Sequence, residues 1–261
     1  MKKEELFQKA DLIKKHIDRV RPIKGAELRE LEDYFKLNLI YTSNAIEGNT
    51  LTITETKLLI EEGITVSGKP FKDYLEATGH DDACKYVLDL AKKEDFILTE
   101  DIIKNIHKIF YQKIDPSVAG QYHTTDVFIT GTEYLPPESK GVPGLMKNFV
   151  EKMQNLKNNV HPIEYAALLH KGIVDIHPFS DGNGRTARLL MNLSLIRDGY
   201  GLVCIAPVLR NEYLTSLMAG QVGKSPTNES FIKFIAESVI ETEKDYCRML
   251  RINWKEPIQE R

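Results

Sequence analysis

His177-Pro178-Phe179-Ser180-Asp181-Gly182-Asn183-Gly184-Arg185-Thr186-Ala187-Arg188 holds more chemically demanding residues than any other stretch of the 261-residue chain. A histidine leads, followed by a stiff Pro-Phe step, an acid and a Gly-Asn-Gly turn. Two arginines three apart then open an apolar run. Glycines next to a helix start leave backbone N–H groups unpaired, and with the helix dipole these make an anion site. The arginines extend it with forked donors suited to phosphate. The stretch describes a polyphosphate cradle with a base at its rim, set on the first turn of a helix.

Outward from there the pattern is helical almost everywhere. Leu189, Leu190, Met191, Leu193, Leu195 and Ile196 are apolar on nearly every side, as in a helix buried mid-protein, and Asp198-Gly199 ends it. Upstream, helices are expected from Pro143 to Leu156 and from His161-Pro162 to Val174. Helical spacing also marks residues 3–40, around a break at Arg21-Pro22-Ile23-Lys24-Gly25, then Thr54 to Glu62 and Phe71 to Lys92. Thr99-Glu100-Asp101 makes a good cap and first turn for the next helix, and Glu212–Met218 and Phe231–Met249 complete the set. Residues 120–144 read differently. Thr124, Thr125, Val127, Phe128, Ile129 and Thr130 are β-formers, broken at Gly131-Thr132-Glu133 and closed off by Pro136-Pro137. The expected fold is mainly α with a small β-hairpin flap. Its expected divisions are a helical region 1–98, a core 99–237, and a C-terminal helix and tail 238–261.

Apolar content of 42% and charged content of 28% suit a soluble globular protein, and a net charge of −3 argues against a general nucleic-acid binder. Cys84, Cys204 and Cys247 are odd in number and scattered, so neither a disulfide framework nor a zinc site is expected. The first residues lack the apolar core of a signal peptide, and no apolar run reaches the ~18 residues of a membrane span. These features predict a cytoplasmic protein without a membrane or nucleic-acid partner.

Other candidates fall away. Gly223-Lys224-Ser225 imitates the end of a phosphate-binding loop, but Met218 stands where its first glycine belongs and no strand precedes it. Gly79-His80-Asp81-Asp82 offers one His-Asp pair without the further ligands a metal phosphohydrolase needs. His170 and His177 are seven apart, yet Pro178 implies that the helix has ended by there, so His170 reads as packing. His107, His123 and His161 have no evident partners. The stretch 177–188 survives, because a loop capping a buried helix gains nothing from two arginines at the positive end of the dipole. Asp181 among those groups would repel phosphate unless a divalent cation bridges them, and Mg²⁺ fits.

A second feature lies upstream in Tyr41-Thr42-Ser43-Asn44-Ala45-Ile46-Glu47-Gly48-Asn49-Thr50. Gly48-Asn49 is a strong helix stop, and Ser43 and Glu47 share a face in the last turn. A carboxylate there is on the wrong side of the dipole. It is either a solvated glutamate in a capping turn or one held by a cation from elsewhere in the fold.

His177 to Arg188 resembles the signature of the Fic family, HPFx[D/E]GNGRxxR, at every fixed position. Residues 120–127 and Pro136-Pro137 resemble that family's flap region, although many members carry arginine where this chain has His123. Ser43 to Gly48 resembles the inhibitory motif [S/T]xxxE[G/N]. The resemblance runs from about Tyr41 to about Glu237 and implies transfer of AMP from ATP to a Ser, Thr or Tyr hydroxyl of an unidentified target protein. On that footing His177 is the general base and Asp181 holds Mg²⁺. Gly182, Asn183 and Gly184 form the anion hole, Arg185 holds the β-phosphate, Arg188 reaches the γ-phosphate, and Phe179 anchors the loop. Ile129, Thr130, Gly131, Thr132, Tyr134 and Leu135 would pin the target by strand addition, and Tyr213 with Gln221 would receive the adenine. Glu47, supported by Ser43, would pair with Arg188 and displace the γ-phosphate; in some relatives the same glutamate positions water to remove AMP. The resemblance leaves room for a homodimer. Two rival readings remain: a nucleotide-binding regulator or toxin-antitoxin component with little turnover, and transfer of another phosphate-containing group.

Overall fold

The computed structural model describes residues 1–20, 26–129, 131–221 and 227–255. The break at 21–25, Thr130 of the expected flap and Gly223-Lys224-Ser225 lie outside the described residues. The helices are α1 (Lys3–Asp18), α2 (Ala26–Ile46), α3 (Ile53–Glu62), α4 (Phe71–Ala91), α5 (Glu100–Tyr111), α6 (Val142–Leu156), α7 (Pro162–Ile176), α8 (Asn183–Arg197), α9 (Arg210–Met218) and α10 (Glu229–Met249). Local chemistry sets several ends. Thr52 and Glu55 form a reciprocal capping box at α3, which stops at Gly63 in a left-handed conformation. Thr99 caps α5 through its hydroxyl, and His161 caps α7 through its ring.

Helix α8 is the axis. It packs against α7, α4, α5 and α2, and every side chain from Arg185 to Leu195 is buried. A helix with no wet face needs apolar neighbours on all sides, which is why its sequence lacks an amphipathic stripe. Asn192, fully buried, joins α8 to the segment after it: Nδ2 donates to the Arg188 carbonyl (3.0 Å) and the Val203 carbonyl (3.1 Å), while Oδ1 accepts from the Val203 N–H (2.7 Å). Helices α1 and α10 pack together at the periphery. Apart from the main core, Ile40, Leu51, Leu59, Tyr74 and Ala77 form a small cluster that seats the end of α2 on α3 and α4.

The expected flap hairpin is not formed. Residues 121–129 and 131–138 make no strand among the described residues. Their contacts are to side chains and other segments instead: Asp126 accepts from the Ser139 N–H (2.8 Å), and the Tyr134 hydroxyl donates to the Asp175 carbonyl (2.7 Å). Phe128 and Leu135 are exposed, so the β-formers here have no face to bury and no partner strand to pair with.

Asn192→Ala would strand a buried N–H and a buried carbonyl of Val203. We expect a loss of about 2–4 kcal/mol in urea unfolding; an unchanged midpoint would show that the α8 connection does not depend on this side chain.

Candidate active site

The motif folds as a tight loop between α7 and α8. His177 ends α7 at φ 52°, a conformation a β-carbon resists, and the next residue, Pro178, prevents the helix from continuing. The loop then closes on itself: the Asn183 side chain accepts from the Phe179 N–H (2.9 Å) and donates to the Phe179 carbonyl (2.7 Å). Phe179 is fully buried and stacked on His107 at 3.8 Å. His107 accepts from the Gly120 N–H through Nδ1 (2.9 Å), so its Nε2 is the nitrogen that donates to the Asp181 carbonyl (3.0 Å). Burial drops its pKa to about 4, against the pull of Asp181, which keeps this tautomer neutral.

Helix α8 starts at Gly182, φ 78°, with no side-chain cap. The N–H groups of Asn183, Gly184 and Arg185 have no carbonyl four residues back within the helix, so the first turn faces outward as an array of donors. The Gly182 N–H is not one of them, because it donates to Asp181 Oδ1 (2.6 Å). The Asn183 side chain is likewise committed to the loop. Asp181 Oδ2 accepts from the Tyr111 hydroxyl (3.1 Å) and lies 3.9 Å from Lys72 Nζ. Burial pushes the Asp181 carboxyl up, but Arg185, the Gly182 N–H, Tyr111 and Lys72 outweigh it, and the group is held below its ordinary range. It is therefore an ionised carboxylate with about half of its side chain open. No group of three metal-ligating side chains exists among the described residues. A single ionised carboxylate beside an anion site suits Mg²⁺, which shares its coordination with phosphate oxygens.

Arg188 is the largest of the fully buried side chains, at 1% exposure. Its Nε donates to Ser43 Oγ (2.8 Å), and Nη2 donates to the Ser43 carbonyl (2.8 Å) and to Glu47 Oε1 (2.7 Å). Nη1 donates to the Tyr213 hydroxyl (3.2 Å), which is 3.0 Å from His170 Nε2. Burial and the neighbouring Arg188 charge hold His170 far below its ordinary pKa, so it faces Tyr213 as a neutral ring. Glu47 thus has the cation that its position at the end of α2 required. Gly184 lets it approach: a β-carbon there would lie 2.5 Å from Glu47 Oε1. Burial raises the Glu47 pKa, and the charges of Arg188 and Arg185 with the Arg188 hydrogen bond more than reverse that. Protein atoms crowd the carboxylate, yet 35% of the Glu47 side chain still meets solvent.

Arg185, equally buried, pairs with Glu76 of α4 at 2.8 Å and lies over the Phe110 ring. His177 is half-buried. Desolvation and the His123 ring lower its pKa, and the Val174 carbonyl with the charges of Asp181 and Glu47 only partly offset this, so it is neutral and able to take a proton at pH 7. The two residues expected around adenine make the following contacts. Tyr213 is buried behind Arg188 and supports it, while Gln221 donates to Asp175 (2.8 Å), the counter-ion of buried Lys171. Ile129, Gly131, Thr132, Tyr134 and Leu135 lie on the strandless loop, with Tyr134 tied to α7. Sequence reasoning missed Lys72, Glu76, His107 and Tyr111, which α4 and α5 bring to the site. Only their helical register could have signalled them, and that register looks like packing.

The model of the Fic/DOC family matches residues 97–195. The chain is 38% identical over 237 residues to a protein adenylyltransferase Fic from Aedes aegypti, covering 90% of this chain and 45% of that protein. A protein of the same name from Nematostella vectensis is 40% identical over 207 residues, covering 78% and 47%. The chain therefore spans about half the length of the curated relatives it matches. Among solved structures it is similar to Fic-1 (residues 134–508) from C. elegans, with a TM-score of 0.84, 29% identity and coverage of 95% of this chain and 73% of that one. It is also similar to a Fic domain containing signaling protein from Bacteroides thetaiotaomicron, with a TM-score of 0.82, 29% identity and 99% of both chains covered. No helix among the described residues is long and apolar enough to cross a membrane.

The Glu47 pKa lies below its ordinary 4.5, so its ion pair contributes fully above that value and is lost as pH falls through the lowered one. Glu47→Gln is expected to unfold at lower urea concentration than the parent near pH 7, with the deficit vanishing in acid. A deficit that persists unchanged in acid would mean that the ion pair is not its source.

Proposed function

Because the chain belongs to the Fic/DOC family, we propose that it transfers AMP from ATP to a Ser, Thr or Tyr hydroxyl of a target protein and is held inactive by Glu47. In this reading the target hydroxyl oxygen attacks the α-phosphorus, the bond to the α–β bridging oxygen breaks, and pyrophosphate leaves. His177 takes the hydroxyl proton, a role supported by its neutral state at the rim of the anion site. The Asn183, Gly184 and Arg185 N–H groups of α8 face the charge that develops on the α-phosphate. Arg185 holds the β-phosphate and Arg188 the γ-phosphate. Mg²⁺, held by Asp181, would neutralise phosphate charge and orient the leaving group. The exposed loop carrying Phe128 and Leu135 presents the target segment. In this scheme residues 99–237 carry the reacting groups, 1–98 the regulatory Glu47 and the α4 side chains Lys72 and Glu76 that flank them, and 238–261 a supporting helix and tail.

The observation that carries the inhibitory part is the Glu47–Arg188 contact. It occupies the arginine edge that a γ-phosphate would need, and like charge forbids carboxylate and phosphate from sharing it. The α8 first turn stays open to the other phosphates, so nucleotide can bind in an unproductive pose.

Incubation with α-labelled ATP and Mg²⁺ tests both parts. Glu47→Gly should label itself or an added target at least tenfold more than the parent, and adding His177→Ala should abolish the signal. Labelling by Glu47→Gly no stronger than by the double variant would leave the chain as a nucleotide-binding module, as would the absence of released pyrophosphate. The acidic limb of the pH–rate profile should fall below pH 6.5, the ordinary histidine value, since burial lowers the His177 pKa.

A further inference from the structure

Glu76 belongs to no motif, yet it stands at the junction of the two halves of the site. It lies on α4 with only 7% of its side chain exposed. One of its carboxylate oxygens, Oε1, pairs with Arg185 Nη1 at 2.8 Å and lies 3.5 Å from Lys72 Nζ. The other, Oε2, accepts from Asn49 Nδ2 at 3.0 Å, and the same amide donates to the Asp73 carbonyl. Asn49 follows Glu47 by two residues, and Thr50 is in turn fixed to Asp73 through its N–H (2.8 Å) and hydroxyl (2.6 Å). The carboxylate is therefore clamped from two sides before it meets the arginine.

Arg185 needs such an anchor. Its side chain is 3% exposed at the positive end of a helix, where its charge is least welcome. Glu76 fixes one corner of the guanidinium and the Phe110 ring, 4.6 Å away, fixes its plane. The N–H groups of the fork stay uncommitted among the described residues: Nη1 meets Glu76 as an ion pair without a hydrogen bond, Nη2 is 3.6 Å from Asp181 Oδ1, longer than a hydrogen bond, and Nε has no acceptor. A guanidinium held in place by charge and by the Phe110 ring, with its N–H groups uncommitted, is a preorganised ligand for an anion rather than a sequestered one.

Resting on the nucleotide reading above, we propose that Glu76 is a positioning residue that aims Arg185 at the β-phosphate. Its effect should follow the number of phosphates on the ligand. ADP and AMP separate this cleanly, because neither carries the γ-phosphate that Glu47 opposes and only ADP carries a β-phosphate.

The test is calorimetric binding of ADP and AMP, with Mg²⁺ present, to the full chain and three variants. Glu76→Gln should raise the ADP dissociation constant about tenfold and leave that of AMP within about twofold, with preserved AMP binding reporting an intact fold. Arg185→Ala should do the same, and the double variant should lose no more than either alone. If Glu76→Gln does not fold, Glu76→Asp, which keeps the charge but withdraws it by one methylene, should give a smaller loss confined to ADP. Parallel weakening of AMP and ADP would overturn the proposal in favour of a structural role. Unchanged or tighter ADP binding would overturn it by showing a competitor for Arg185, and additive effects in the double variant would also overturn it. A parent chain that binds neither nucleotide would overturn the nucleotide reading and this proposal with it, whereas normal binding without AMP transfer would leave the proposal standing.

Discussion

A guanidinium buried in a helical core must be answered by other groups, and Arg188 is such a guanidinium. Two of its bonds run to Ser43 of α2, one to Glu47 in the turn that follows α2, and the fourth to Tyr213 of α9. This one charge therefore fixes where the end of α2 docks on the first turn of α8. It also requires Gly184, because any larger residue would occupy the place of the Glu47 carboxylate. The four acceptors are not equivalent. Ser43 and Tyr213 are buried and neutral, while Glu47 is partly open to solvent. In the proposed inhibition, an anion that took the place of Glu47 would leave the other three bonds to answer the charge.

The surrounding titratable groups respond to the same field. His80, wholly buried, falls to a pKa of about 3 through burial and the charges of Arg188 and Arg185. His107 and His170 are kept neutral by burial and by one or other of these arginines. A region in which two buried arginines help to hold the surrounding buried histidines neutral is one that welcomes anions. Of the acids that do face it, Glu47 and Glu76 are each paired with an arginine, and Asp181 lies 3.6 Å from Arg185. Glu47 and Asp181 are held ionised below their ordinary range.

What was legible in the sequence had local causes. The run Leu189–Ile196 announces a helix without a wet face, Thr99-Glu100-Asp101 marks a helix start by its own bonding, and Glu47 at the wrong end of a dipole asks for a cation. The rest depends on distant contacts. Glu76, Lys72, Tyr111 and His107 reach the site only because α4 and α5 pack against α8. Their spacing alone is that of ordinary amphipathic helices. β-propensity at 124–129 misled because a strand needs a partner, and none of the described residues supplies one. The bond from Arg188 to the Tyr213 hydroxyl is likewise not legible in the segment around Tyr213.

The claim at the centre of this account is that Glu47 and the γ-phosphate compete for Arg188. Crystal structures of the parent chain and of Glu47→Gly, each with Mg²⁺ and a non-hydrolysable ATP analogue, measure that directly. We expect the γ-phosphate to contact Arg188 only in the variant and to be displaced from it in the parent. The same γ-phosphate contact in both structures, with Glu47 still bonded to Arg188 in the parent, would contradict it.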